Sequence, residues 1–180
     1  MFRFYKALIS APARQKGSQV SISKIETPRD FFAYVVVPDV ADFASDHGNL
    51  RAGCHAAISL LSYRDWVFTA HSGRPWAYRG TSMVSFTTKG EFQQALSGID
   101  RAFEIVSKVA NGSKHMILES TPSTMTFSGA FSGAPFSVLP YSSGLKSFMH
   151  VKIGDSSHDV PMNVDLAYRL WVDLNAENSW

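Results

Sequence analysis

Thr88 and Glu91 stand three residues apart, immediately before Phe92, Leu96, Ile99, Phe103 and Val106. No other pattern in the chain constrains the fold as much. A hydroxyl at a helix start and a carboxylate at the third helical position satisfy each other's backbone donors, and apolar residues spaced by three and four line up on one face. One amphipathic helix is therefore predicted from Thr88 to Asn111-Gly112, and its stripe must be buried against another element. Glu104 and Lys108 fall at i,i+4 on the wet face, a contribution of about 0.3 kcal/mol.

Other segments follow less regular patterns. Val20 and Ile22 alternate with serines, the mark of a half-buried strand, and Pro28 separates them from Phe31-Phe32-Ala33-Tyr34-Val35-Val36-Val37, which reads as a central strand. Asn49 is placed to cap a helix carrying Leu50, Cys54, Ala57, Ile58 and Leu61 on one face, with Arg51, His55, Ser59 and Ser62 opposite. Trp66 to Thr69 and Trp76 to Phe86 read as strands joined at His71-Ser72-Gly73, with Pro75 near a strand start where its missing N–H costs no ladder bond. A short strand is expected over His115 to Glu119. Leu145, Ser147, Met149, Val151 and Ile153 alternate with Lys146, Phe148, His150 and Lys152 as in a half-buried strand. A last helix from about Asn163 aligns Val164, Ala167, Leu170, Trp171 and Leu174. Strands and helices are interspersed without regular βαβ alternation. The expectation is one α+β domain over residues 18–180, an antiparallel β-sheet packed against about three α-helices, preceded by a flexible basic arm over residues 1–17.

Charge is unevenly distributed. Arg3, Lys6, Arg14, Lys16 and Lys24 precede the first acid, Glu26, whereas beyond Leu145 three cations (Lys146, Lys152, Arg169) face five acids (Asp155, Asp159, Asp165, Asp173, Glu177). The basic end suits phosphate or an anionic membrane, and the acidic end suits a basic surface on another copy. Between them, Ser120 to Leu145 is 26 residues without a charge, studded with Met125, Phe127, Phe131, Phe136 and Tyr141. Water-facing loops normally carry charge, so these side chains call for an apolar partner: the protein's own core, a second protomer or a lipid surface. A lone cysteine, Cys54, excludes an internal disulfide framework, and no apolar run reaches the ~18 residues of a spanning helix. A cytosolic setting is the default expectation.

Signatures of catalysis are weak. Cys54-His55 are neighbours on a predicted helix, where side chains diverge by about 100° and cannot form a nucleophile–base pair. The histidines at 47, 55, 71, 115, 150 and 158 lack metal-ligand spacing, and no Gly-x-Ser-x-Gly elbow or phosphate loop is present. His158-Asp159 alone is not a triad. Arg74 and Arg79 flank Trp76 and Tyr78, which suits direct nucleic-acid contact, ring stacking at a protein interface or the capping of a sheet's exposed face. The expectation is a non-enzymatic protein without cofactor or metal.

The order of parts resembles the matrix proteins of rhabdoviruses. The residues that carry the resemblance are Arg29-Asp30-Phe31 through Val37, Ala56-Ala57-Ile58-Ser59, Gly73-Arg74-Pro75-Trp76-Ala77-Tyr78 leading to Met83-Val84-Ser85-Phe86, and Pro135-Phe136-Ser137-Val138 through Tyr141 to Val151-Lys152-Ile153 and Pro161. The resemblance implies a virion structural protein beneath the envelope, also found in host cytoplasm and at the inner membrane surface, that self-associates, binds an anionic membrane and condenses the viral nucleocapsid during assembly and budding. It assigns membrane and nucleocapsid contact to Arg3, Lys6, Arg14, Lys16 and Lys24, and self-association or membrane insertion to Met125, Phe127, Phe131 and Phe136. The Pro-Pro-x-Tyr motif of several members is absent from this sequence, as in a short-armed, plant-virus type. The competing expectation is a small virus- or phage-encoded interaction protein that binds and inhibits one macromolecular partner.

Overall fold

The computed structural model describes residues 25–83, 85–114, 123–128 and 148–180. The expected arm, the strand at Val20 and Ile22 and the strand over His115 to Glu119 lie outside these residues.

Thr27 starts the first helical path. Its hydroxyl accepts the Asp30 N–H at 3.1 Å while the Asp30 carboxylate accepts the Thr27 N–H at 3.0 Å, and Pro28 occupies a first-turn position where no N–H is needed. Helix α1 (Pro28–Phe31), a π-helical turn (Phe32–Val36) and helix α2 (Val37–Ser45) then follow without interruption. The turn sends the Val37 N–H to the Phe32 carbonyl, a widened register just ahead of Pro38, which has no N–H to offer. The segment Phe31 to Val37, expected as a central strand, is thus helical. Its β-branched run is overridden by the cap and by aromatic packing: Phe31 stacks on Trp66 at 5.2 Å, and Phe32 lies 5.0 Å from Tyr63 and 5.7 Å from Tyr168.

Helix α3 (Leu50–His71) begins where expected, with the Asn49 side chain accepting the Ala52 N–H at 3.1 Å. It continues a further ten residues beyond Leu61, to His71, so Trp66 to Thr69 are helical and not a strand. Ser59, expected on the wet face, is buried and donates its hydroxyl to the Ala56 carbonyl at 3.1 Å, which satisfies it within the helix. Gly53 marks a close crossing: a Cβ there would stand 2.6 Å from Met149 Sδ and 3.0 Å from the Phe43 ring.

The run Trp76 to Phe86, expected as strand, contains a hairpin of β1 (Trp76–Tyr78) and β2 (Thr81–Met83), paired Trp76 to Met83 and Tyr78 to Thr81. Arg79 and Gly80 join them at φ +50° and +73°, the left-handed pair that matches strand twist in a two-residue hairpin. Helices α4 (Lys89–Ile99) and α5 (Arg101–Lys114) occupy the stretch predicted as one helix. The Thr88–Glu91 capping box forms as expected, but Asp100 is extended (φ −145°, ψ 118°) and its carboxylate accepts the Ala102 N–H at 2.8 Å, ending one helix and capping the next. The continuous apolar stripe concealed that break.

A three-stranded antiparallel sheet contains β3 (Ser123–Ser128), β4 (Phe148–Ile153) and β5 (Ser156–Asp159) in the order β3-β4-β5. Asp159 then caps helix α6 (Val160–Asn178), accepting the Met162 N–H at 2.7 Å. Among the described residues the fold is α+β with two small antiparallel sheets, and the helices form most of the core; the expected single sheet backed by about three helices is replaced there by this arrangement. At its centre Trp171 receives Tyr63 edge-on at 4.8 Å and Phe103 at 5.7 Å. Trp180 closes one end of the core, packed on Trp76 at 6.0 Å and His71 at 5.8 Å.

Candidate functional site

Two of the concavities on the described surface are lined by polar side chains. The first, of about 390 Å³, lies between α2 and α3. Helix α2 presents Asp39 and Asp42, the turn after it adds Asp46, and α3 contributes Arg51 and His55. Burial pushes the Asp39 carboxyl above its ordinary value, and Ser59 and His55 only partly oppose that. Asp46 is engaged locally, accepting the Gly48 N–H at 3.0 Å. None of the three carboxylates forms an ion pair among the described residues. Apolar residues are sparse after Pro38, so no hydrophobic periodicity marks this cleft in the sequence, and the i,i+3 spacing of Asp39 and Asp42 is its one local signal.

The second concavity, of about 540 Å³, opens where the starts of α5 and α6 meet strand β5. Ile105, Met162 and Leu166 supply apolar wall, Arg101, His158 and Asn163 supply polar groups, and Asp100 and Asp159 stand beside it as helix caps. The buried Asn163 amide donates to the Asp159 carbonyl at 2.5 Å, which fixes which end of the amide is nitrogen and leaves its oxygen with no hydrogen bond from a described residue. His150 and His158 both border the cavity but cannot act as a pair. His158 is opposite Val151 in the ladder and His150 is one residue out of step, so alternation sends their side chains to different faces.

The residues singled out for chemistry fall apart as a site. Cys54 is half-buried, its thiol pushed up by burial with Ser113 opposing, while His55 is exposed. Trp76 is buried, and Arg79 lies over Tyr78 with its guanidinium carbon 5.1 Å from the ring centroid, a contact within the hairpin. Glu104 and Lys108 pair at 2.7 Å as expected. Burial and the neighbouring Arg74 hold His71 below its ordinary value. Among the described residues no group of three His, Cys, Asp or Glu side chains could hold a metal ion, and no helix is long and apolar enough to cross a membrane.

Arg3, Lys6, Arg14, Lys16 and Lys24 lie outside the described residues, as do Phe131 and Phe136. Met125 and Phe127 fall on β3, at register positions opposite Val151 and Met149. That places part of the uncharged segment in a paired strand instead of a free loop. No family model, curated protein or solved structure matches the chain.

Proposed function

We propose that this chain is a self-associating structural protein of matrix type, in which a basic arm over residues 1–17 and the adjoining Lys24 attach a matrix-like domain over residues 18–180 to an anionic membrane and to a nucleocapsid. Charge segregation carries the reading. Residues 1–25 hold five cations and no acid; the whole chain has 17 cations and 15 acids, so the remaining 155 residues hold 12 and 15, a net −3 against the +5 of the first segment. A short positive segment on a negative body is attracted both to anionic lipid and to the body of another copy. The sequence resemblance to rhabdovirus matrix proteins supplies the identity of the surface and the cargo.

Each basic residue near an anionic leaflet contributes roughly 1 kcal/mol, so five hold one protomer weakly and self-association multiplies the attachment. Full-length protein should co-sediment with phosphatidylserine-containing vesicles at low salt, release at high salt and ignore phosphatidylcholine vesicles. Replacing Arg3, Lys6, Arg14, Lys16 and Lys24 by Gln should abolish binding. Binding unchanged by that replacement would sink the arm hypothesis, and a monomer that ignores vesicles altogether would favour a protein that inhibits one macromolecular partner.

A further inference from the structure

Helices α5 and α6 each give one face to the second cavity. Ala102 and Ile105 stand one turn apart on α5, and Met162, Asn163 and Leu166 fall within one arc of α6. Ala102, Ile105 and Asn163 are buried and form the floor, while exposed Met162 stands at the rim. Asn163 is the anomaly on this floor. Its Nδ2 is spent on the Asp159 carbonyl at 2.5 Å, which holds the amide in one orientation, and its oxygen has no hydrogen bond from a described residue. Among the described residues Trp171 Nε1 is the enclosed side-chain polar atom without a partner, so the Asn163 oxygen, which also lacks one, is not enclosed and opens on the cavity. A residue only 4% exposed thus offers one acceptor to whatever enters.

The surroundings of that oxygen favour a neutral ring. Ile105 and Leu166 are apolar, the Met162 thioether is polarisable and suits ring edges, and the Arg101 guanidinium is a planar cation that stacks on aromatic faces. Charge nearly cancels. Arg101 is set against Asp100 and Asp159, whose carboxylates each accept a first-turn N–H of their own helix, where the helix start offsets about half a unit charge. We propose that this cavity binds a neutral indole-type ring, an apolar two-ring system with a single N–H, which donates to Asn163 Oδ1 while the ring packs among Ile105, Leu166 and Met162. One acceptor among apolar groups matches one donor on an apolar ring. A purine would bring ring acceptors that meet no donor on this floor, and a phenyl ring would leave the oxygen unpaired. A cavity of about 540 Å³ has room for the two rings and a chain attached to them, so a free indole and the tryptophan side chain of a bound polypeptide offer the same chemistry. The inference goes beyond the membrane and self-association reading and does not depend on it.

Titration of the full-length protein, followed by heteronuclear NMR at the Asn163 side-chain amide and the backbone amides of α6, tests the proposal with matched probes: indole and N-acetyltryptophanamide, each against its ring-N-methylated form. The unmethylated probe should bind about tenfold more tightly than its methylated form, the worth of one hydrogen bond to a buried acceptor. Asn163→Leu keeps an apolar wall without the acceptor and should erase that difference. Leu166→Trp should fill the cavity and abolish binding of every probe. Tighter binding of N-acetyltryptophanamide than of indole assigns the site to a polypeptide, and the reverse to a free small molecule; both support the site. If a variant does not fold, the methylated and unmethylated pairs on the wild type decide. Equal affinity within both pairs, or no shift at Asn163 with any probe up to its solubility, would overturn the proposal.

Discussion

The side-chain amide of Asn178 completes the backbone of Ala77: its oxygen accepts the Ala77 N–H at 2.8 Å and its nitrogen donates to the Ala77 carbonyl at 2.8 Å, with a further bond to the Leu174 carbonyl at 2.9 Å. A residue at the end of α6 thereby serves as a one-residue third strand for the β1–β2 hairpin, which a two-stranded ribbon needs to be stable.

Removing that amide should loosen the hairpin. Asn178→Ala leaves the Ala77 N–H and carbonyl without protein partners in a partly buried setting, at a cost of about 1–3 kcal/mol. Urea denaturation should show the loss, and amide exchange at Ala77 should accelerate more than exchange in α3. Equal acceleration in both would mean that Asn178 supports the whole fold and not the strand edge.

Gly53 is a second place where one atom decides. Ala is the better helix former by about 0.8–1 kcal/mol, but its Cβ would meet Met149 Sδ at 2.6 Å in a fully buried position. Overpacking costs about 1–3 kcal/mol and should win, so Gly53→Ala is expected to lower the melting temperature. In a Met149→Ala background the same substitution should cost less, and a thermal double-mutant cycle measures that coupling. A raised melting temperature for the single variant would show that the crossing is looser than its geometry.

Local signals in the sequence located the elements that depend on local physics. Asn49, the Thr88–Glu91 box and the alternation through Met149, Val151 and Ile153 each act within a few residues, and each appears where expected. Phe31 to Val37 was misread because its valines favour a strand in isolation, while the decisive contacts, Phe31 on Trp66 and Phe32 on Tyr168, come from residues far along the chain. Trp66 to Thr69 failed similarly: a short apolar run has no period of its own, and here it continues a helix. The two concavities were illegible for a related reason, since their walls join α2 to α3 and α5 to α6 and β5.

Acid denaturation should have contributions of both signs. Hydrogen bonds from Thr87 and Thr88 hold the Glu91 carboxyl below its ordinary 4.5, so the stability it contributes is present above that value and is lost as pH falls through the lower folded one. Asp39 is the reverse. Burial raises its folded value, so its ionisation opposes folding at neutral pH and that penalty disappears on acidification. Glu91→Gln should therefore be less stable than wild type at neutral pH and Asp39→Asn more stable, with both curves approaching wild type under acid conditions. Urea titrations across that range measure this, and differences independent of pH would assign the effects to packing.

Cys54 offers a test of the non-enzymatic reading. Burial raises its thiol, Ser113 only partly opposes that, and exposed His55, the next residue on α3, points elsewhere. A reactive cysteine needs a lowered value and access, because the thiolate is the nucleophile. Labelling of the native protein with a disulfide reagent at mildly alkaline pH should be at least tenfold slower than labelling in urea, with the rate still rising beyond the ~8.5 of a free thiol. Cys54→Ala should retain the fold and the binding of anionic vesicles. Native labelling faster than in urea, with a plateau near neutral pH, would instead mark an activated thiolate, and thiol chemistry would then displace the structural role proposed for this chain.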